Sequence, residues 1–381
     1  MIRRAIEDAL GQLAAQYPVV TITGPRQSGK TTLAQMVFPN HAYYSLEDID
    51  LRESAMFDPR GFLSQSDYMV IDEIQKAPQL VSYVQGIVDH TDRAGQFILT
   101  GSHQFELTNI VSQSLAGRTA LIRLLPFSMA ELDESLSLSQ LIYRGFYPRI
   151  IDKKLNPTQA HAFYINTYLE RDLREIKEIR NLRAFESFLK LCAANVGQII
   201  NKNRFSNDVG VDNKTIDAWL SVLEASYIIM LLSPHYRNFR KRVVKNPKLY
   251  FYDVGLAAYL LGIKTPAHVT SHPLQGALFE NLVIVEKAKE KLNRVENPDL
   301  YYFRDNVGNE VDLLEERGTK VITYEIKLGK TLGRHMFKGL DYYRKLNPDN
   351  AESYLVYTGD EDGTRYGHAC LPYQRLQESA S

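Results

Sequence analysis

The chain has 381 residues, enough for about two to three ordinary domains. With 44% hydrophobic and 24% charged residues it lies in the globular range, which excludes a disordered, collagen-like or mucin-like protein. Forty-five Lys and Arg balance forty-five Asp and Glu, so no global basic field draws the chain to nucleic acid or anionic lipid, and such binding has to come from a local patch.

The N-terminal stretch carries basic side chains but no continuous apolar run and no small-residue cleavage site, so it does not read as a signal peptide. The strongest apolar run, 227–232, is core-sized and far short of the roughly 18 residues that cross a bilayer. Cys192 and Cys370 are too few for a disulfide framework or a thiolate metal cluster and are expected in core packing. A cytoplasmic protein without a membrane span is the expectation.

From 19 to 133, short apolar strands alternate with helical stretches: VVTIT, TTLAQMVF, YMVID, VSYVQGIVDH, FILTGS and ALIRLLPF. This alternation predicts βαβ units and a mainly parallel sheet. Between the first strand and the first of these helices lies GPRQSGKT, residues 24–31, which fits the pattern G-x-x-x-x-G-K-[ST]. Glycines there let backbone N–H groups and a helix N-terminus face a polyphosphate that Cβ atoms would obstruct. The predicted nucleotide-binding residues are Gly24, Pro25, Arg26, Gln27, Ser28, Gly29, Lys30, Thr31 and Thr32. Lys30 is expected to neutralise the β and γ oxygens of ATP, and Thr31 to offer its hydroxyl to Mg²⁺.

The strand YMVID ends in Asp72 and Glu73. Asp72 is expected to hold Mg²⁺ through water, and Glu73 to polarise the attacking water as general base. FILTGSH places Ser102 and His103 at the carboxyl end of the next strand, where open α/β sheets gather ligand-facing residues. Ser102 reads either as a γ-phosphate sensor or as a turn residue. Arg118 reads either as an arginine finger acting in trans, which implies a homo-oligomer, or as a surface arginine. The polar stretch 131–139 and the turn at 145–148 place the first domain boundary near residue 149.

GPRQSGKTTL, VIDEIQKAP, ILTGSHQFEL and SLAGRTALIRLLPFS together resemble the AAA-type ATPases of bacteria and archaea, over residues 2–149. The resemblance implies ATP hydrolysis. Those ATPases are usually fused to a C-terminal domain of unknown function, and the rest of this chain is similar to that partner.

Helical periodicity dominates 156–232. Residues 205–232 read as a helix-turn-helix, with a turn at 210–213 and a second helix from near Thr215. With the strand-like SYIIMLL and the returning KLYFYD this outlines a winged helix, expected within 150–264. Trp219 is read as core. Residues 233–252 carry Arg237, Arg240, Lys241, Arg242, Lys245 and Lys248 with no acid, interleaved with His235, Tyr236 and Phe239. This local patch is the candidate DNA contact, and a solvated basic hairpin is its plain alternative.

The last stretch, 265–381, opens with the helix GALFENLVIVEKAKEKL, continues through the strands LYYFRD, EVDLLEE and KVITYEIKL, and closes with a helix and the strand SYLVYTG. Glu280 lies on the opening helix, Asp312 on the second strand, and Glu325 and Lys327 on the third. An acid-x-Lys triplet occurs four times in the chain, so the triplet alone carries nothing and the arrangement of elements carries the signal. Carboxylates on adjacent strands make a hard-oxygen site for Mg²⁺, and a nearby lysine can orient water against a phosphodiester. The arrangement resembles the restriction-endonuclease-like PD-(D/E)xK core over 275–359. The resemblance implies Asp312 and Glu325 as metal ligands, Lys327 as the water-orienting base and Glu280 as a helix acid near the metal. An Asp312–Lys327 ion pair without metal is the alternative.

The sequence thus predicts an α/β chain: a P-loop NTPase parallel sheet in 1–149, a helical winged-helix domain in 150–264 and a small restriction-endonuclease-like domain in 265–381. ATP and Mg²⁺ are the expected cofactors, with nucleotide state controlling a DNA-facing half. The alternative is a non-catalytic, ATP-switched regulator with an inactive nuclease-fold scaffold.

Overall fold

The computed structural model describes residues 2–91, 93–102, 113–132, 136–167, 181–235, 245–348 and 352–380. The chain divides into two compact units. One comprises Met1–Phe127, Ala225–Tyr227 and Lys291–Glu296; the other comprises Ser128–Glu224, Ile228–Glu290 and Asn297–Ser381. No helix among the described residues is long and apolar enough to cross a membrane.

In the first unit the strands β1 Val19–Thr23, β2 Ala42–Ser45, β3 Met69–Asp72, β4 Phe97–Gly101 and β5 Thr119–Arg123 form a parallel sheet in the order β2-β3-β4-β1-β5. Period-two alternation splits its side chains between two cores. Val20, Ile22, Val70 and Ile98 pack with Leu10 of α1 (Glu7–Ala14) and with Leu33 and Ala34 of α2 (Lys30–Val37). Val19, Met69, Ile71, Phe97 and Leu99 pack with Ala55 of α3 (Ile49–Phe57), Phe62 of α4 (Pro59–Leu63) and Leu80, Val84 and Val88 of α5 (Leu80–Thr91). Helices on both faces explain why β1, β3 and β4 are buried along their whole length. Insertion of β4 between β1 and β3 reverses the strand order there, and the carboxyl ends of these strands flank the crevice where such sheets hold ligands.

The second unit begins with helices: α6 Leu138–Arg144, α7 Pro148–Asp152, α8 Pro157–Thr167, α9 Leu182–Ala194, α10 Lys202–Val209 and α11 Asn213–Ala225. The strands β6 Ile229–Leu232 and β7 Lys248–Phe251 pair antiparallel, and α12 Val254–Leu260 and α13 Pro266–Ser271 follow. Gly210 ends α10 in the left-handed region (φ 75°), which makes the expected turn before α11. Helix α6 packs against α12 and α13, and the Asp253 carboxylate accepts a hydrogen bond from the Phe146 amide at 2.7 Å. These contacts place 138–152 in the second unit, so the boundary expected near 149 lies at 127–128 instead. Turn residues near 145–148 mark a change of chain direction rather than a domain edge.

Helix α14 (Gln275–Asn293) leads into β8 Leu300–Arg304, β9 Glu310–Arg317 and β10 Lys320–Lys327, then α15 Lys338–Leu346, β11 Ser353–Tyr357, β12 Gly363–Arg365 and β13 His368–Pro372. The six strands run β12-β13-β11-β10-β9-β8, with β8, β9 and β10 antiparallel and β11 parallel to β10. This sheet and the preceding helices pack as a single compact unit. Helix α14 is buried together with its charges. Lys287 pairs with Glu290 at 2.7 Å, Lys289 pairs with Glu286 at 2.8 Å, and the Lys289 ammonium lies 4.2 Å from the Phe146 ring centroid.

Trp219 is 2% exposed, with ring centroids 5.2 Å from Phe185 and 5.4 Å from Phe188, in the core role read from its helical spacing. Replacing it by Ala is expected to cost about 3–5 kcal/mol of the second unit's stability, read as a lower urea midpoint. A loss below about 1 kcal/mol would place the ring outside the core.

Candidate nucleotide site and a second charged cluster

The loop between β1 and α2 needs backbone conformations that side chains resist. Gly24 has φ 148° and Gly29 has φ 89°, and a Cβ on Gly24 would overlap the Leu124 carbonyl oxygen. Arg4 holds the loop from outside: its buried guanidinium donates to the Ser28 carbonyl at 2.8 Å and the Leu125 carbonyl at 2.7 Å, and lies 4.7 Å from the Phe127 ring centroid. Pro25 and Ser28 are buried, Gln27 is exposed with φ 61°, and Thr32 is exposed on the first turn of α2.

Lys30 is 6% exposed, and its ammonium donates to the carbonyls of Gly24 at 3.0 Å and Pro25 at 2.8 Å. Burial lowers its pKa to about 8, against the pull of Glu73 and Asp72 and with help from Arg26. Asp72, at the carboxyl end of β3, accepts hydrogen bonds from Thr31 Oγ1 at 2.9 Å, Tyr43 OH at 2.8 Å and the Thr100 hydroxyl. Burial and the Asp72 charge together push the Tyr43 phenol up. Glu73 follows with φ 56°, a left-handed backbone that costs a non-glycine residue about 1–3 kcal/mol. Its Oε2 accepts from Ser102 Oγ at 3.1 Å and from the Gln75 amide.

The structure therefore brings Lys30, Thr31, Asp72, Glu73 and Ser102 to one end of the sheet. Tyr43 and Thr100 join them, although sequence reading passed over both. Tyr43 lies within β2 and Thr100 near the carboxyl end of β4, a signal that exists only once the strand order is known. His103 lies outside the described residues. Arg118 precedes β5 at the amino end of the sheet, where its carbonyl accepts from the Val19 amide at 3.2 Å and its guanidinium pairs with Asp89. It is not brought to the P-loop of its own chain.

The residues fit a Mg²⁺-nucleotide. The loop is a cradle in which a Cβ on Gly24 would clash, and the buried Ser28 hydroxyl has no hydrogen-bond partner among the described residues. Thr31 and Asp72 supply the hard oxygen donors that Mg²⁺ takes.

A second cluster lies in the other unit. The Lys327 ammonium is 3.0 Å from Asp312 Oδ2 and 2.7 Å from Glu325 Oε1. Asp312 Oδ2 also accepts from the Ile326 amide at 2.8 Å. Glu280 Oε1 meets Lys248 Nζ at 3.1 Å and Tyr250 OH at 2.5 Å, and Lys248 reaches Glu310 at 2.5 Å. The four sequence-predicted residues, Glu280, Asp312, Glu325 and Lys327, are thus brought together. Among the described residues, however, no group of three or more His, Cys, Asp or Glu side chains is arranged to hold a metal ion. Lysine ammonium groups lie against Asp312, Glu325 and Glu280, while the buried Glu325 Oε2 has no hydrogen-bond partner among the described residues.

Burial works against the Lys248 charge, yet Tyr250, Glu280, Asp312 and Glu310 outweigh it and hold its pKa well above the ordinary range. Burial, reinforced by Asp312, raises Glu325 to about 8. Sequence reading placed Lys248 in the solvated basic patch; it is instead 3% exposed. His235 is likewise buried, 2.9 Å from Glu316, rather than offered to a base. Lys245 is exposed, while Arg237, Arg240, Lys241 and Arg242, with Tyr236 and Phe239, lie outside the described residues.

The sheet order, the glycine loop and the Thr31–Asp72 pair define an AAA-type P-loop ATPase domain, and residues 16–133 match the family model described as AAA domain. Residues 135–267 match a domain of unknown function (DUF8612), and residues 275–376 match another (DUF4143). The chain is 31% identical over 336 residues to the uncharacterized protein Rv2008c of Mycobacterium tuberculosis, covering 86% of this chain and 74% of the relative, and so belongs to the same family. The uncharacterized protein Mb2031c of Mycobacterium bovis matches with the same identity and coverage. A Haemophilus influenzae protein is 22% identical over 306 residues, 70% of this chain and 74% of the relative. Among solved structures, the Walker-type ATPase PABY2304 of Pyrococcus abyssi is similar at 13% identity and a TM-score of 0.43, covering 67% of this chain and 94% of that one. A score this low leaves the fold to rest on the strand order and the family model.

Glu325 keeps a proton in the folded state up to about pH 8, against an ordinary value of 4.5. The folded state therefore binds more protons than the unfolded chain between these limits, and stability falls as pH rises through that window. Glu325→Gln, neutral throughout, is expected to flatten part of the fall in melting temperature between about pH 5 and pH 8.5. An equal fall in variant and wild type would refute the assignment.

Proposed function

We propose that this protein binds and hydrolyses ATP, and that its nucleotide state controls a C-terminal half built from a winged helix and a restriction-endonuclease-like core. The single observation that carries the ATPase reading is the convergence of Thr31 and Glu73 on the Asp72 and Ser102 ends of β3 and β4. Lys30 exchanges its loop carbonyls for the β and γ oxygens of ATP, whose charge restores what burial removes from its pKa. Thr31 and Asp72 would hold Mg²⁺, which would supply charge neutralisation at the phosphates. Tyr43 and Thr100 fix the Asp72 carboxylate. Glu73 orients a water at the γ-phosphorus and takes its proton while the bond to the β–γ bridging oxygen breaks. Ser102, bonded to Glu73, relates the position of that base to the γ-phosphate.

For the C-terminal half, the order helix, three antiparallel strands, helix and a strand parallel to the third supports the nuclease-like core. Helices α10 and α11 with the β6–β7 pair support the winged helix. Contact with DNA through Arg237, Arg240, Lys241, Arg242 and Lys245 belongs to this reading, with affinity falling steeply in salt. A trans role for Arg118 in a homo-oligomer requires it to leave Asp89. The second reading, an ATP-switched regulator with a non-cleaving scaffold, is favoured by the lysine-paired carboxylates of the cluster.

Lys30→Ala is expected to abolish tight ATP binding, and Glu73→Gln to keep binding while slowing turnover by about 100-fold or more. Undiminished ATP binding by Lys30→Ala would remove the central claim. Mg²⁺-dependent cleavage of single-stranded, duplex or branched DNA that disappears in Lys327→Ala would establish a nuclease. Intact ATP hydrolysis with no cleavage of any of the three would establish the scaffold reading.

A further inference from the structure

The middle of the chain sends one side chain into the C-terminal carboxylates. Strand β7 is held by β6 along one edge, and along the other by hydrogen bonds from the Gly197 amide to the Leu249 carbonyl at 2.7 Å and from the Leu249 amide to the Gln198 carbonyl at 3.1 Å. Strand alternation puts Lys248 and Tyr250 on one face, and both reach Glu280 Oε1. The Lys248 ammonium then spans from Glu280 on α14 to Glu310 on β9, 2.5 Å from the latter, with the Tyr302 ring centroid 5.5 Å away. Lys327 does the same for Asp312 and Glu325.

We infer that Lys248 is the resident cation of this cluster: an ammonium that bridges Glu280 and Glu310 and keeps a divalent metal from the neighbouring carboxylates of Asp312 and Glu325. The inference deepens the scaffold reading of the C-terminal half and rests on it. A bare ammonium buried this deeply is strongly disfavoured unless carboxylates surround it, and the carboxylates need a cation equally. A divalent ion entering the cluster would have to displace Lys248 from two carboxylates and approach the Lys327 charge as well. Because β7 is hydrogen-bonded on both edges, the backbone of Lys248 is fixed beneath the cluster, and the side chain is buried there. Lys248 therefore also fastens the β6–β7 pair to the C-terminal sheet without a metal ion.

The test uses the full chain carrying Lys30→Ala, without nucleotide, titrated with Mn²⁺ and followed by the electron paramagnetic resonance of the free ion. With Lys248 present, no Mn²⁺ binding sensitive to Asp312→Asn is expected up to millimolar concentration. Lys248→Ala is expected to gain a site at least about tenfold tighter, which Asp312→Asn removes again. Lys248→Met, neutral and of similar length, guards against loss of fold, which circular dichroism would show. Mn²⁺ binding by the Lys248 protein that Asp312→Asn abolishes overturns the inference, with or without folded variants. So does a folded Lys248→Ala or Lys248→Met chain that binds no better. Since neither DNA nor ATP is present, failure here is distinct from the DNA-cleavage result that would end the scaffold reading.

Discussion

A charge taken out of water has to find compensation inside the protein, and the P-loop site and the cluster around Lys248 and Lys327 are each organised by how they meet that requirement. In the AAA domain the compensation is neutral: Lys30 rests on backbone carbonyls, and Asp72 on the hydroxyls of Thr31, Tyr43 and Thr100. Neutral partners bond less strongly than ionic ones, so these groups gain by exchanging them for phosphate or a metal ion. In the C-terminal cluster the compensation is ionic, with Lys248 against Glu280 and Glu310 and Lys327 against Asp312. The same physical demand is met mainly by neutral hydrogen-bond partners in one unit and by groups of opposite charge in the other.

The strain at Glu73 belongs to the first kind of site. A non-glycine residue held with left-handed backbone persists where its surroundings over-determine it, and Ser102 and Gln75 both bond its carboxylate. The Glu73 side chain is thus fixed from two neighbouring segments, while the sheet beneath is buried on both faces.

The P-loop and the Asp72–Glu73 pair were legible in the sequence because their chemistry is local: a strand, a glycine loop and a helix follow one another directly. Tyr43, Thr100 and Arg4 were not, since they reach the site through strand order and through a guanidinium that crosses from the N-terminal segment. Lys248 was counted with its basic neighbours because charge counting ignores direction, whereas strand alternation turns it inward with Tyr250. The succession of elements in the last third was readable from periodicity, and its acids do converge. The lysine that neutralises two of them comes from a strand more than thirty positions before Glu280, beyond the reach of any local pattern. The boundary near 149 was misplaced because turn residues report where the chain bends, and packing of α6 on α12 and α13 decides which unit it joins.

The chain has a single tryptophan, and it lies in the aromatic core of the second unit. Intrinsic indole emission therefore follows the melting of that unit alone, and the ATPase unit unfolds silently at that wavelength. Any coupling between nucleotide binding in the first unit and order in the second would be visible as a shift in a signal to which the nucleotide site itself contributes no indole.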